Sequence, residues 1–441
     1  MQINTLQLLN FRCFEDLTLH FNPHFNVLIG DNMAGKTSVL KALSVATTAY
    51  SMNMAANGVF NPINREDMRL VNVLKNTEGI DDAAFEFQCP VSIIVQEGFL
   101  HTKPVTWNVE RKDAPPKKTL WGKILKNIAE KDKDKISKGE SVLLPIIVFY
   151  EANRDIPNLI KQDGEPVIAI ADTKKLGSRR EGYEYCMKSN SDVNIRTLQT
   201  WFKTKQIVGN GKGSAYLNVV KNALKGCLEH CEDIYFNIEY GELCMTMDDG
   251  RSIPFSFLST GVKNMLHIVF DIAYRCVTLN PHLQENAALE TNGIVMIDEL
   301  DAHLHPKWEQ RIVQNLKTAF PKIQFFVTAH SPHIIASAAA GEVIDMNNAI
   351  DKTEIYPEQQ SFQGWQLQYI LEDVMNVIFE NSPNYETPIL PLRKEIQNAY
   401  EMQNVLVYTS IFEKLKSLLP DNDPSMILYE MKLRDLQKET I

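Results

Sequence analysis

Three things are scarce in this 441-residue sequence. Cysteine occurs only seven times, at 13, 89, 186, 227, 231, 244 and 276. A sparse, odd set excludes a disulfide-built scaffold and reads as the reduced thiols of a cytoplasmic protein. Long apolar runs are missing too. The longest, Leu143 to Tyr150, has the length of a strand, far short of the roughly 18 residues that cross a bilayer. No membrane partner is therefore expected. The opening MQINTLQLLNFRCFEDL lacks the basic leader and apolar run of a secretory signal. Positive charge is the third shortage. Lys and Arg total 45 against 55 acidic residues, a formal net charge of -10. That argues against a strongly basic module held permanently on nucleic acid, while local contact through a patch stays open.

What is present is ordinary globular material. The chain is 44% hydrophobic and 23% charged. Such a chain has ample core material and, by length, room for roughly two to four domains. Residues 3–9 and 17–21 alternate on either side of Asn10-Phe11-Arg12 and predict a hairpin. Apolar runs at 25–29, 143–150, 294–297 and 323–327 predict strands covered on both faces by helices. Segments 38–54, 191–230, 263–276 and 308–319 read as helical, and 85–110 as further strands. Residues 111–140 carry ten basic and five acidic residues behind Pro115-Pro116, as in an exposed helical insertion or a mobile loop. After residue 360 the pattern is helical at 364–379, 389–402, 404–418 and 424–438.

The chemistry concentrates in four places. The strand at 25–29 runs into Gly30-Asp31-Asn32-Met33-Ala34-Gly35-Lys36-Thr37, and a helix follows from Ser38. Strand, glycine loop and helix are the setting a phosphate loop needs. Backbone N–H groups would surround phosphate oxygens, Lys36 would reach the β and γ phosphates, and Thr37 would hold Mg2+. The run Ile294–Ile297 delivers Asp298 and Glu299 at a strand end. Asp298 suits the Mg2+ shell, and Glu299 suits a base that orients the attacking water. Ser256–Asn264 opens a helix, with Ser259 as a cap hydroxyl and Gly261 permitting close backbone approach. An ordinary helix cap and a phosphate-binding N-terminus are both open readings there. His330 follows the strand at 323–327, where a histidine could sense a γ-phosphate or orient water. Cys227, His230 and Cys231 lack a second ligand pair, so packing is preferred to zinc. Trp201 and Trp308 read as helix-face core residues.

The order of these pieces resembles the ABC-type ATPases of the RecF/SMC/OLD-like group. In that resemblance Leu258-Ser259-Thr260-Gly261 stands at the signature sequence, Leu300-Asp301-Ala302 at the D-loop and His330 at the switch histidine. His303-Leu304-His305-Pro306 is similar to an extension of the RecF and OLD-like branches. Asn10–Phe14 is similar to the opening strand pair, where Arg12 would approach the nucleotide. The resemblance implies an α/β fold: a P-loop ATPase head with mixed sheets flanked by helices over 1–345, and a small helical C-terminal part over 346–441. It implies ATP and Mg2+ as cofactors. It also implies a composite site in which Gly30 to Ser38, Asp298 and Glu299 of one copy meet Ser259, Thr260 and Gly261 of another. The compact insert and helical tail resemble the PtuA-type ATPases of Septu and related retron antiphage systems. There the ATPase assembles with a separate HNH nuclease. The alternatives are a RecF-like repair ATPase that binds DNA through the basic 111–140 segment, and a nucleotide-regulated scaffold with little turnover.

Overall fold

The computed structural model describes residues 1–55, 61–77, 80–112, 119–152, 178–187, 191–208, 215–347, 349–375, 389–419 and 424–439. The chain forms two compact units, Met1–Ile370 and Leu371–Ile441.

The first unit opens with β1 (Gln2–Phe11) and β2 (Phe14–His20), an antiparallel pair with Leu8 opposite Leu17 and Phe11 opposite Phe14. Ile3, Leu6, Leu8 and Phe11 of β1 are all buried. β3 (Phe25–Ile29) is buried at every position and leads through a loop into α1 (Lys36–Met54). β4 (Leu70–Thr77) and β5 (Ile80–Phe87) make a separate hairpin. β6 (Val91–Leu100), β7 (Lys103–Arg111) and the short β8 (Leu120–Trp121) extend the first sheet. α2 (Lys123–Ser137), β9 (Ile146–Tyr150), α3 (Ser191–Val208) and α4 (Ala215–Cys227) follow. β10 (Cys231–Asn237), β11 (Glu242–Met247) and β12 (Ser252–Pro254) form a three-stranded antiparallel sheet. Then come α5 (Thr260–Leu279), β13 (Gly293–Ile297), α6 (Pro306–Ala319), β14 (Ile323–Thr328), α7 (Pro332–Ser337), β15 (Val343–Asp345) and β16 (Glu354–Ile355).

Two sheets organise this unit. One has five parallel strands in the order β15-β3-β14-β13-β9. The other has six, in the order β16-β2-β1-β6-β7-β8. α1 packs against strands of both. Burial on nearly all sides takes in Val39, Leu40, Leu43, Val45 and Tyr50 and also Ser44, Thr47, Thr48 and Ser51, whose hydroxyls donate to carbonyls of the helix itself. The unit continues past residue 345 because β16 pairs with β2, Ile355 opposite Leu19.

The basic insertion is a helix anchored on one side. Leu125, Ala129 and Asp132 of α2 are buried, while Lys123, Lys126, Lys131, Lys135 and Lys138 are exposed. Tyr50 of α1 donates to Asp132 Oδ2 at 2.7 Å, and His101 Nε2 lies 2.7 Å from the same oxygen. Pro115-Pro116 lies outside the described residues.

The second unit contains α8 (Ile389–Glu401), α9 (Val405–Leu418) and α10 (Pro424–Glu439). Their core joins Ile389, Ile396, Tyr408, Phe412, Leu415 and Leu436. Of the helix read at 364–379, the helical part described is Leu367–Tyr369 continued by Ile370–Val374, and 376–379 lies outside the described residues.

Candidate nucleotide-binding and hydrolysis site

β3, β14 and β13 are adjacent and parallel, so their C-terminal ends deliver Gly30, Thr328 and Asp298 to one edge of the sheet. That edge is where parallel α/β sheets bind ligands. The loop from Gly30 to Gly35 reverses the chain there. Gly30 has φ 137° and Gly35 φ 91°, and Met33 also lies in the left-handed region at φ 73°. α1 then starts at Lys36, with Gly35 as its N-cap and no side-chain cap. A helix whose first N–H groups have no side-chain acceptor is suited to phosphate oxygens.

Lys36 folds back over the loop. Its Nζ donates to the carbonyls of Gly30 at 2.6 Å and Asp31 at 2.9 Å. Burial pushes its pKa below the ordinary lysine value, and the charges of Asp298, Asp31, Asp301 and Glu299 pull it partly back. The ammonium thus sits among surplus negative charge. Thr37 Oγ1 lies 3.1 Å from both carboxylate oxygens of Asp298. A hydroxyl and a carboxylate are the hard oxygen donors Mg2+ takes, with phosphates and water completing its shell. The residues present therefore fit that ion. No cluster of three His, Cys, Asp or Glu suited to a metal occurs among the described residues.

Asp298 is buried, whereas Glu299 is exposed and held at φ 50°. A non-glycine residue in that region is locally strained, which is common at catalytic turns. Thr328 Oγ1 donates to Asp298 Oδ1 and accepts from the Glu299 N–H, both at 2.7 Å. Asp301 Oδ2 accepts from the His330 N–H at 2.8 Å, tying the D-loop position to the exposed histidine.

Arg12 is paired with an acidic side chain. Its Nε donates to Asp67 Oδ1 at 2.9 Å, and the Arg12 N–H donates to the Asp67 carbonyl at 2.9 Å. Asp67 is wholly buried. What the hairpin tip brings to the loop is Cys13 and Phe14. Cys13 hydrogen-bonds Ser38, and burial raises its thiol pKa despite that bond. A Cβ added at Gly35 would lie 2.3 Å from Phe14 Cζ. Gly35→Ala therefore meets both a left-handed φ and a clash. We expect it to destabilise the fold by about 1–3 kcal/mol and to weaken nucleotide binding, as thermal unfolding with and without ATP would measure.

Asn347 was not marked by the sequence. It follows β15, and its Oδ1 accepts the Asp31 N–H at 2.8 Å. The signature segment forms its own surface. Ser259 caps α5, its side chain accepting from the Val262 N–H, and Ser259 and Thr260 are exposed. Gly261 is buried so tightly that an added Cβ would lie 2.0 Å from the His303 carbonyl oxygen. The start of α5 is thereby locked to the segment that follows Asp301. Cys227 is buried with its thiol pushed up to about 12, Cys231 Sγ faces the Asp233 carbonyl and His230 pairs with Asp248. These three make no metal site. Trp201 is buried edge-on to Tyr274, and Trp308 is half-buried.

Phosphate loop, metal-fitting carboxylate and adjoining glutamate together make the site of a P-loop ATPase. A family model described as "AAA domain" matches residues 5–223, and one described as "AAA domain, putative AbiEii toxin, Type IV TA system" matches 245–336. Among individual proteins, the chain is similar to the Septu protein PtuA of Bacillus thuringiensis. They are 23% identical over 440 residues, covering 95% of this chain and 94% of that one. It is 24% identical to the "Retron Ec83 probable ATPase" of Escherichia coli over 76% of this chain and 69% of that protein. A shorter stretch of 103 residues is 46% identical to the "Retron Vc95 probable ATPase" of Vibrio cholerae serotype O1 biovar El Tor, covering 23% of this chain and 20% of that protein.

Proposed function

We propose that the chain is the Mg2+-dependent, ATP-hydrolysing regulatory subunit of an antiphage defence complex, and that it controls a separate HNH nuclease. The observation that carries the reading is the convergence of Lys36, Thr37, Asp298 and Glu299 on one sheet edge. The similarity to PtuA over nearly the whole of both chains supports the biological setting. Lys36 and the loop N–H groups bind the triphosphate. Thr37 and Asp298 hold the ion, which when bound draws charge from the β and γ oxygens. Glu299 orients and deprotonates the attacking water. Ser259 and Thr260, exposed at the start of α5, close the site of a second copy, so nucleotide state sets the geometry of a homo-oligomer. The second unit, with Met402 and Leu406 exposed at 80% and 85%, is the partner-binding part. The setting is cytoplasmic.

Co-expression with its neighbouring genes tests this. A nuclease subunit is expected to co-purify, and Ser259→Arg should block ATP-dependent pairing while leaving ATP binding by the single chain intact. Absence of any stable partner, with or without ATP, sinks the reading. The exposed lysines of α2 favour a second one, direct DNA binding. Strongly salt-dependent DNA affinity, lost on charge reversal at Lys123, Lys131 and Lys135, would support that instead.

A further inference from the structure

We infer that Thr328 is a positioning residue for hydrolysis: its single hydroxyl sets the direction of both carboxylates at the end of β13. This rests on the roles assigned to Asp298 and Glu299, and adds a residue outside the motifs that mark the site.

A threonine hydroxyl has one proton to give and lone pairs to accept with. Here the proton is committed to Asp298 Oδ1 at 2.7 Å, and a lone pair is committed to the Glu299 N–H at 2.7 Å. Thr328 is 1% exposed, so water does not substitute for either bond. Its main-chain carbonyl also accepts from the Leu300 N–H at 2.9 Å. With the bond from the His330 N–H to Asp301 Oδ2, the turn at 298–301 is clasped to the strand end at 328–330 along its whole length.

Two consequences follow from the hydroxyl alone. Asp298 Oδ1 is held by Thr328, and both carboxylate oxygens lie 3.1 Å from Thr37 Oγ1, so rotating the carboxylate away from the ion position would break the shorter Thr328 bond. The Glu299 peptide is held where φ is 50°, a conformation that a non-glycine residue keeps only when its surroundings fix it. Thr328 thus acts on the metal ligand and on the base together, without touching nucleotide. Partners that orient metal ligands from behind typically matter by about 10–100-fold in metal affinity or activity.

Thr328→Val keeps shape and β-branching but removes the hydroxyl. Thr328→Ser keeps the hydroxyl and removes the methyl. Thr328→Ala serves if the valine variant does not fold. For Val or Ala we expect kcat to fall about 10–100-fold, with KM for ATP within a few-fold of wild type. Mn2+ affinity of the ADP-loaded protein, read by electron paramagnetic resonance, should weaken in parallel. Ser should restore both. Wild-type kcat and Mn2+ affinity in Thr328→Val overturns the inference. So does a failure of Ser to rescue, or a loss of kcat accompanied by an equal loss of ATP affinity, since those mark a packing role. Glu299→Gln measured alongside separates the two levels: if that variant turns over normally the site reading itself fails, whereas if it is inactive and Thr328→Val is normal only Thr328 is wrongly assigned.

Discussion

Lys36→Ala is expected to weaken ATP binding by at least about 100-fold, measured by calorimetry or by displacement of a fluorescent nucleotide. The number follows from what surrounds the ammonium. It is 6% exposed, and it is the cation that faces the charges of Asp298, Asp31, Asp301 and Glu299. A charge-assisted hydrogen bond contributes about 1.5–3 kcal/mol, already about 10–100-fold. Removal also leaves those carboxylates facing a polyanion without compensation, which adds repulsion of the same order. The pH dependence has a definite sign. Burial lowers the Lys36 pKa in the free protein, so affinity should begin to fall at a pH below the ordinary lysine range and keep falling as pH rises. For stability the sign is opposite. A lysine with a lowered folded pKa binds fewer protons folded than unfolded, so its burial penalty is present below the folded pKa and is relieved as pH rises through it. Lys36→Ala should therefore lose nucleotide affinity without losing stability. Equal affinity in variant and wild type would remove Lys36 from the site.

Much of the site was legible in the sequence because its central pieces are local. Strand, glycine loop and helix lie within 25–54, and the apolar run that delivers Asp298 and Glu299 adjoins them in one pentapeptide and two residues. What escaped was long-range. Asn347 reaches Asp31 across 316 positions, and Thr328 meets Asp298 across 30. Neither residue type nor local pattern singles out a threonine at the end of a buried strand. Arg12 is the converse case. The opening strand pair is present as read, and the structure adds a partner for its arginine, Asp67, which sits 55 positions on in a helical turn that no periodicity announces. The basic insertion was half legible. Its lysines marked an exposed face, while the buried contact of Asp132 with Tyr50 and His101 depends on a fold that composition does not encode.

Glu299→Gln should separate binding from turnover more cleanly than any other substitution. Gln has the same length and shape, and the backbone geometry at φ 50° together with the N–H bond to Thr328 is independent of the side-chain head group. What is lost is the basicity of the head group together with its negative charge, one of four that act on Lys36. A general base contributes about 10²–10⁴-fold, so kcat should fall by that factor while ATP affinity stays within a few-fold. Asp298→Asn provides the contrast. It alters the carboxylate that Thr37 and Thr328 hold between them, so Mg2+-dependent binding should weaken as well as turnover. The two variants must then diverge in assembly: under ATP and Mg2+, light scattering should find Glu299→Gln accumulating as a paired species that wild type forms only transiently, and Asp298→Asn remaining unpaired. If Glu299→Gln hydrolyses ATP at the wild-type rate, the water is activated by another group, and His330, exposed on the neighbouring strand end, becomes the residue to replace next.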